Sequence, residues 1–268
     1  MTKKTIYSVI AIALIISVYG FNFYLDEQIS NEVIVTGKEQ KEDTNVFFLP
    51  TSTTNQVVHH NGYSLSYHEE HEQAEWVAYE LKENHITSTN FKRPYFEVDN
   101  AVSTKSAHWR NYKQSGYDRG HLCPAGDRKY SKSAHDETFL TSNVSPQKHD
   151  FNSGIWNYLE QKVRYWAIKY DGVYVISGGV LSPDLKTIGS ENVSVPNYFY
   201  KIICDYNQGE PKVIAFLMKH EKTNKPLHSF VVSVDDIELL TGIDFLSQFQ
   251  DKQEEQLESS SNYKDWSF

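Results

Sequence analysis

Cysteine is almost absent: Cys123 and Cys204 are the only two in 268 residues. A chain this long with two thiols is not a disulfide scaffold, and the lack of any CxxC pair excludes a zinc ribbon. Whether the two thiols pair is left open, because pairing needs α-carbons within about 7 Å. GxSxG elbows, Walker loops and internal repeats are missing too, which argues against α/β-hydrolases, P-loop enzymes and solenoids. The histidine-rich run His68-Glu69-Glu70-His71-Glu72 lacks HExxH spacing and reads as a solvated polar turn. Positive charge is scarce: 26 Lys and Arg against 35 Asp and Glu give a net charge of -9, which repels polyanions overall.

The charge is unevenly spread. Between Ala101 and His135, Lys105, Arg110, Lys113, Arg119, Arg128, Lys129 and Lys132 face only Asp118 and Asp127, a local net of +5. Inside this basic patch, Tyr117-Asp118-Arg119-Gly120-His121-Leu122-Cys123-Pro124 puts an acid, a guanidinium and an imidazole within four positions. Gly116 and Gly126 bracket the run, and Pro124 stiffens it.

Downstream, residues 152–167 carry Ile155, Leu159, Val163 and Trp166 at helical spacing, which predicts one buried stripe. Asn152, Glu160 and Arg164 recur at multiples of four and fall within an arc of roughly 120°. One helix face therefore offers an amide oxygen, a carboxylate and a guanidinium. Trp156 and Trp166 sit among the apolar positions and read as core.

This set suits phosphodiester hydrolysis, which needs a base for water, a divalent cation and fixed positive charge around the developing anion. His121 is the candidate base, with an ordinary pKa of about 6.5 and hence activity falling below about pH 6 to 6.5. Asn152 is the candidate metal ligand, because magnesium keeps several waters and takes one or two protein ligands. Glu160 can hold those waters, and Arg119 and Arg164 can grip phosphate.

Three blocks in the same order, GYDRGHLCP at 116–124, SNVSPQ at 142–147 and FNSGIWNYLEQKVR at 151–164, resemble the DNA/RNA non-specific endonucleases, the ββα-metal nucleases with an Asp-Arg-Gly-His signature. The resemblance extends with decreasing sharpness from about Tyr63 to Phe249. It implies a ββα-metal nuclease fold, a central antiparallel sheet flanked by helices, and cleavage of DNA and RNA with little sequence preference to 5′-phosphate ends. By the same resemblance His121 is the general base, Asn152 the single protein ligand of magnesium (with manganese as a substitute), and Glu160 the residue ordering the metal's water. Arg119, Arg164 and Arg93, the last in KRPYFEVD, match phosphate-binding arginines, and Asp118 and Asn143 match supporting residues. Arg110 and Lys113 extend the basic surface for nucleic acid. Cys123 departs from the family pattern, which has a small residue there, and implies an oxidant-sensitive site.

The chain begins Met1-Thr2-Lys3-Lys4 and then runs uncharged from Thr5 to Leu25. Lysines before a long apolar run predict an exported segment over 1–25, either an uncleaved signal anchor or a signal peptide cut near Gly20. The expected location is therefore membrane-anchored and facing the exterior, or secreted. Residues 26–56 read as a polar linker, 57–249 as the nuclease domain and 250–268 as an acidic tail, mostly mobile, with Trp266 and Phe268 able to dock back.

Within the domain, Tyr63, Leu65 and Tyr67 alternate as in a strand, while Glu75–Leu81 fits a strand or a short helix. Residues 173–177, 198–204 and 213–218 are β-branched and aromatic, as strands are. Ser233 before acids, with Gly242 beyond, marks a helix over 233–240. The fold class expected is α+β. DNA and RNA are the expected partners; a homodimer and an inhibitor protein stay open. Two other readings also stand at this point: an inactive nucleic-acid-binding module that kept the fold, and a partner-binding envelope protein.

Overall fold

The computed structural model describes residues 49–206 and 210–268. The expected export segment at 1–25 and most of the linker lie outside these residues. Among the described residues, no helix is long and apolar enough to cross a membrane.

A seven-stranded sheet forms the centre. Its strands are β1 (Val57–His59), β2 (Ser64–His68), β3 (Gln73–Leu81), β6 (Val173–Gly179), β9 (Tyr198–Asp205), β10 (Lys212–Lys219) and β11 (Val231–Val232), adjacent in that order. Every neighbouring pair is antiparallel. Glu75–Leu81, open between strand and helix in the sequence, lies in β3. Both faces of the sheet are covered, which is why its strands read as unbroken apolar runs. On one face Val173, Val175, Phe199 and Ile203 pack against Ile155, Leu159, Val163 and Trp166. On the other, Tyr174, Ile176, Tyr200 and Ile202 meet Val234, Ile237 and Leu257.

The helices are α1 (Lys132–Glu137), α2 (His149–Phe151), α3 (Asn157–Lys169), α4 (Val234–Thr241) and α5 (Asp251–Glu258). The start of α4 is a capping box: Asp236 N–H donates to Ser233 Oγ (3.1 Å) and Ser233 N–H to Asp236 Oδ2 (3.2 Å). Gly242 ends it at φ +69°, a left-handed conformation that glycine adopts without strain. A separate two-stranded ribbon, β4 (Asp118–His121) with β5 (Val144–Gln147), runs directly into α2 and α3. The remaining short strands, β7 (Thr187–Ile188) and β8 (Val193–Ser194), pair with each other.

Two stretches that look polar in sequence are pinned to this body. Thr51 N–H donates to Asp244 O (2.8 Å) and Trp76 Nε1 to Thr51 O (2.9 Å), so residues at the end of the expected linker close over the sheet. At the other end α5 buries Leu257, and Trp266 is 4% exposed with its ring 4.9 Å from Trp166. Trp166 Nε1 also donates to Ser267 O (2.8 Å). A few anchoring side chains outweigh the acids around them, because one buried indole removes a large apolar area from water. Trp266→Ala is therefore expected to cost about 3 kcal/mol in urea unfolding, by a lower midpoint at unchanged slope. An unchanged midpoint would show that the docked tail adds nothing to stability.

Candidate active site

The site begins with the ribbon. Asp118, Arg119, Gly120 and His121 pair with Gln147, Pro146, Ser145 and Val144. A Cβ on Gly120 would lie 2.2 Å from the Gln147 side chain, so any larger residue there would have to displace that buried glutamine. The chain leaving His121 is then held at successive peptide groups. Leu122 N–H donates to Asn143 O (3.0 Å) and Cys123 N–H to Asn143 Oδ1 (2.9 Å). Asn143 Nδ2 returns bonds to the Cys123 and Thr138 carbonyls, both at 2.9 Å. This buried amide is spent on the loop backbone.

Between α2 and α3 the helix widens into a π-turn over Asn152–Trp156, with Gly154 at φ -96°, ψ -111°. Wider turns of this kind re-aim side chains and recur at functional sites. Asn152 Nδ2 donates to Asp118 Oδ2 (3.0 Å), and His149 Nδ1 meets the same oxygen at 2.9 Å. That bond fixes which way the Asn152 amide faces, with Oδ1 turned from the aspartate. Trp156, fully buried, donates from Nε1 to the His121 carbonyl (3.4 Å).

His121, Asn152, Glu160 and Arg164 line one cavity of about 420 Å³, with Gly126 and Asn157 on its wall. A larger hollow of about 540 Å³ is bordered by Glu80, Glu83, Asp171 and Lys82, a charge unsuited to phosphate. Arg164 Nη1 donates to Asp127 Oδ1 (2.6 Å), and the wholly buried Asp127 also accepts from Tyr79 Oη (2.9 Å). Burial works against the Arg164 charge, but the Asp127 carboxylate more than restores it and raises its pKa. Burial pushes the Glu160 carboxyl up, while Lys201 and Arg164 pull it back.

The His121 ring packs beside Phe96 (5.6 Å) and Phe139 (5.1 Å). Its Nε2 is out of water and has no hydrogen-bond partner. Burial, then Arg93, His135 and Arg119, lowers its pKa to about 3. Arg119 lies 4.7 Å over the Phe96 ring, and the exposed Arg93 lies 5.4 Å from both Phe96 and Phe139. Both arginines thus stand on the aromatic shelf beside the imidazole.

Other expectations change. Cys123 and Cys204 are free and buried, and burial pushes their thiols up to about 11 and about 12. A neutral thiol out of water resists oxidation, so the oxidant-sensitive site is not supported. Arg128, counted in the basic patch, is fully buried and donates to Glu80 O (2.9 Å), and Lys132 is paired with Asp136. Arg110 and Lys113 are exposed, Arg110 beside Trp109 (5.5 Å), and neither lines the cavity. His71 Nδ1 bonds Ser194 Oγ (2.9 Å), a structural contact. Asp127, Lys201 and the Phe96–Phe139 shelf carry no signature in the sequence.

Residues 41–252 match the family described as DNA/RNA non-specific endonuclease. The chain belongs to this family. It is 33% identical over 248 residues to the zebrafish (Danio rerio) protein named "Nuclease EXOG, mitochondrial", covering 86% of this chain and 71% of that protein. Human "Endonuclease G, mitochondrial" is 30% identical over 206 residues, covering 71% of this chain and 69% of its own length. A crystal structure of the EndoG/EndoGI complex superposes with a TM-score of 0.68 at 29% identity, covering 74% of this chain and 88% of that one. The ββα-metal nuclease fold expected from the sequence is thus the observed one, and the protein is an endonuclease, a phosphodiester hydrolase.

The location expected for this endonuclease is corrected. The relatives named above, like the fission yeast protein "Nuclease 1, mitochondrial", carry mitochondrial names. The exported, membrane-anchored or secreted placement is withdrawn. A basic, acid-free start is common to segments addressed to several compartments, so it does not select one.

Proposed function

We propose that the endonuclease cuts DNA and RNA without sequence preference, with a magnesium ion on Asn152, and leaves 5′-phosphate ends. The observation carrying this reading is the convergence of His121, Asn152, Glu160 and Arg164 on one cavity. The donor set fits the ion: Asp118 ties down the Asn152 nitrogen, which leaves a neutral hard oxygen for a cation that prefers oxygen ligands and retains waters. Magnesium bound there supplies Lewis-acid charge to the phosphoryl and leaving oxygens.

The protein's own groups do the rest. With Nε2 closed off among aromatic rings, Nδ1 of His121 is the nitrogen available to take a proton from water. Because burial disfavours the imidazolium, the ring is neutral and ready at neutral pH. Arg164, held by Asp127, and Arg119 and Arg93 on the aromatic shelf keep positive charge where the phosphate gains negative charge. Glu160 accepts hydrogen bonds from water on the metal's side. Arg110 and Lys113 would attract the polyanion away from the cavity, where backbone contacts carry no sequence information. A protein inhibitor is proposed as a partner, since the structural neighbour is itself an EndoG/EndoGI complex.

The test is degradation of plasmid and RNA by the purified protein with magnesium or EDTA. The DNA products are then joined by ligase without prior kinase treatment. Magnesium-dependent cutting of both substrates into ligatable ends is expected. Inert folded protein that still binds DNA would replace this reading with that of a binding module.

A further inference from the structure

Strand β9 places Phe199, Lys201 and Ile203 on the sheet face that meets α3. Phe199 and Ile203 are ordinary core residues; between them Lys201 is fully buried. Taking an ammonium out of water costs several kcal/mol unless it is well partnered, so an apolar residue would pack here at less expense. What the cation touches is the underside of the site. Lys201 Nζ lies 3.1 Å from Ser177 Oγ and 3.5 Å from the carbonyl of Leu122, the residue after His121. Ser177 Oγ itself donates to that carbonyl (3.0 Å). The ammonium also sits 4.5 Å over the Trp156 ring, whose Nε1 holds the His121 carbonyl. Burial lowers the Lys201 pKa, and the Glu160 and Asp127 carboxylates work against that.

We propose that Lys201 is a positioning residue of the nuclease site: its buried ammonium fixes the backbone behind His121 through Ser177 and Trp156. This rests on the reading of His121 as base. Lys201 reaches neither substrate nor reacting atoms; it acts by holding those groups in place. Displacing a catalytic group by about 1 Å costs on the order of 10²-fold in rate, so the site depends on what lies beneath it.

Lys201→Met keeps the length of the side chain and removes the charge. It is expected to lower kcat about 10²-fold, with KM for plasmid DNA within about twofold because no substrate contact is lost. In a double-mutant cycle, Lys201→Met combined with Ser177→Ala should lie within about threefold of Lys201→Met alone, since both side chains hold the Leu122 carbonyl and groups acting as a unit are not additive. A full kcat in Lys201→Met, or losses that multiply in the double variant, would overturn the proposal. If His121→Ala cuts at the wild-type rate, the role given to His121 fails instead. The Lys201→Met kcat then decides the backbone clamp alone. Thermal unfolding accompanies each variant. Should Lys201→Met show no cooperative transition, Ser177→Ala becomes deciding: a severalfold fall in kcat at unchanged KM supports the clamp, and an unchanged kcat removes it.

Discussion

His121→Ala is expected to reduce DNA cleavage by about 10³-fold or more at saturating magnesium, while DNA binding and thermal stability stay close to wild type. The loss is large because no other group lining the cavity takes the part of the base: Asn152 is neutral, Arg164 is a permanent cation, and Glu160 is given to the metal's water. Binding survives because Arg93, Arg119, Arg110 and Lys113 keep their charge. Plasmid nicking assays beside a binding isotherm measure both, and a variant within tenfold of wild type would remove His121 from the role. The acid side of the profile adds a second check. The ordinary histidine value places an acid limb near pH 6 to 6.5, but burial and its neighbours hold His121 at about 3. Its neutral form therefore persists through mild acid, and the loss of rate on acidification is expected from Glu160, whose carboxyl burial pushes up. An NMR titration should show the His121 ring unchanged between pH 5 and 8. A midpoint near 6.5 would restore the simpler profile. The linkage runs the same way: the stability from burying neutral His121 is present above about 6.5 and lost as pH falls toward about 3.

The parts of this molecule that were legible are those whose partners lie close in sequence. Ile155, Leu159, Val163 and Trp166 fall into the core because helical period alone sets their direction. The capping box at Ser233 and the stop at Gly242 are local chemistry and read directly. The signature loop and Asn152 are legible because each lies in a short block and the blocks follow one another in a recognisable order. The unread features depend on contacts between distant segments. Asp127 matters because Tyr79, 48 positions away, and Arg164, 37 positions away, converge on it. Lys201 meets Leu122 across 79 positions, and nothing in YFYKIIC separates it from a strand lysine pointing to solvent. Arg128 counts as surface charge in any composition, yet folding buries it under the loop. The helix itself held one surprise. A uniform 100° per residue carried Asn152 onto the face of Glu160 and Arg164, although a π-turn intervenes. The three still share the cavity because the Asp118 bond, not helical period alone, sets the amide's direction.

That bond leads to the second large effect. Asn152→Ala is expected to lower cleavage by about 10³-fold at a magnesium concentration that saturates the wild type, matching wild type in EDTA, because the only amide oxygen proposed to hold the ion is gone. Asp118→Ala leaves that oxygen present but unheld, and loss of such an outer partner typically costs about 10- to 100-fold in metal affinity. Its magnesium half-saturation should therefore rise by about 10- to 100-fold, with most of the maximal rate recovered when magnesium is raised. Calorimetric titration of magnesium into each protein, without nucleic acid, separates the two cases independently of turnover: weakened binding in Asp118→Ala and none detectable in Asn152→Ala. Wild-type magnesium affinity in Asn152→Ala would place the ion on other ligands. If Asp118→Ala instead loses rate at every magnesium concentration while binding the ion normally, the aspartate acts through His149 or the ribbon rather than by orienting Asn152.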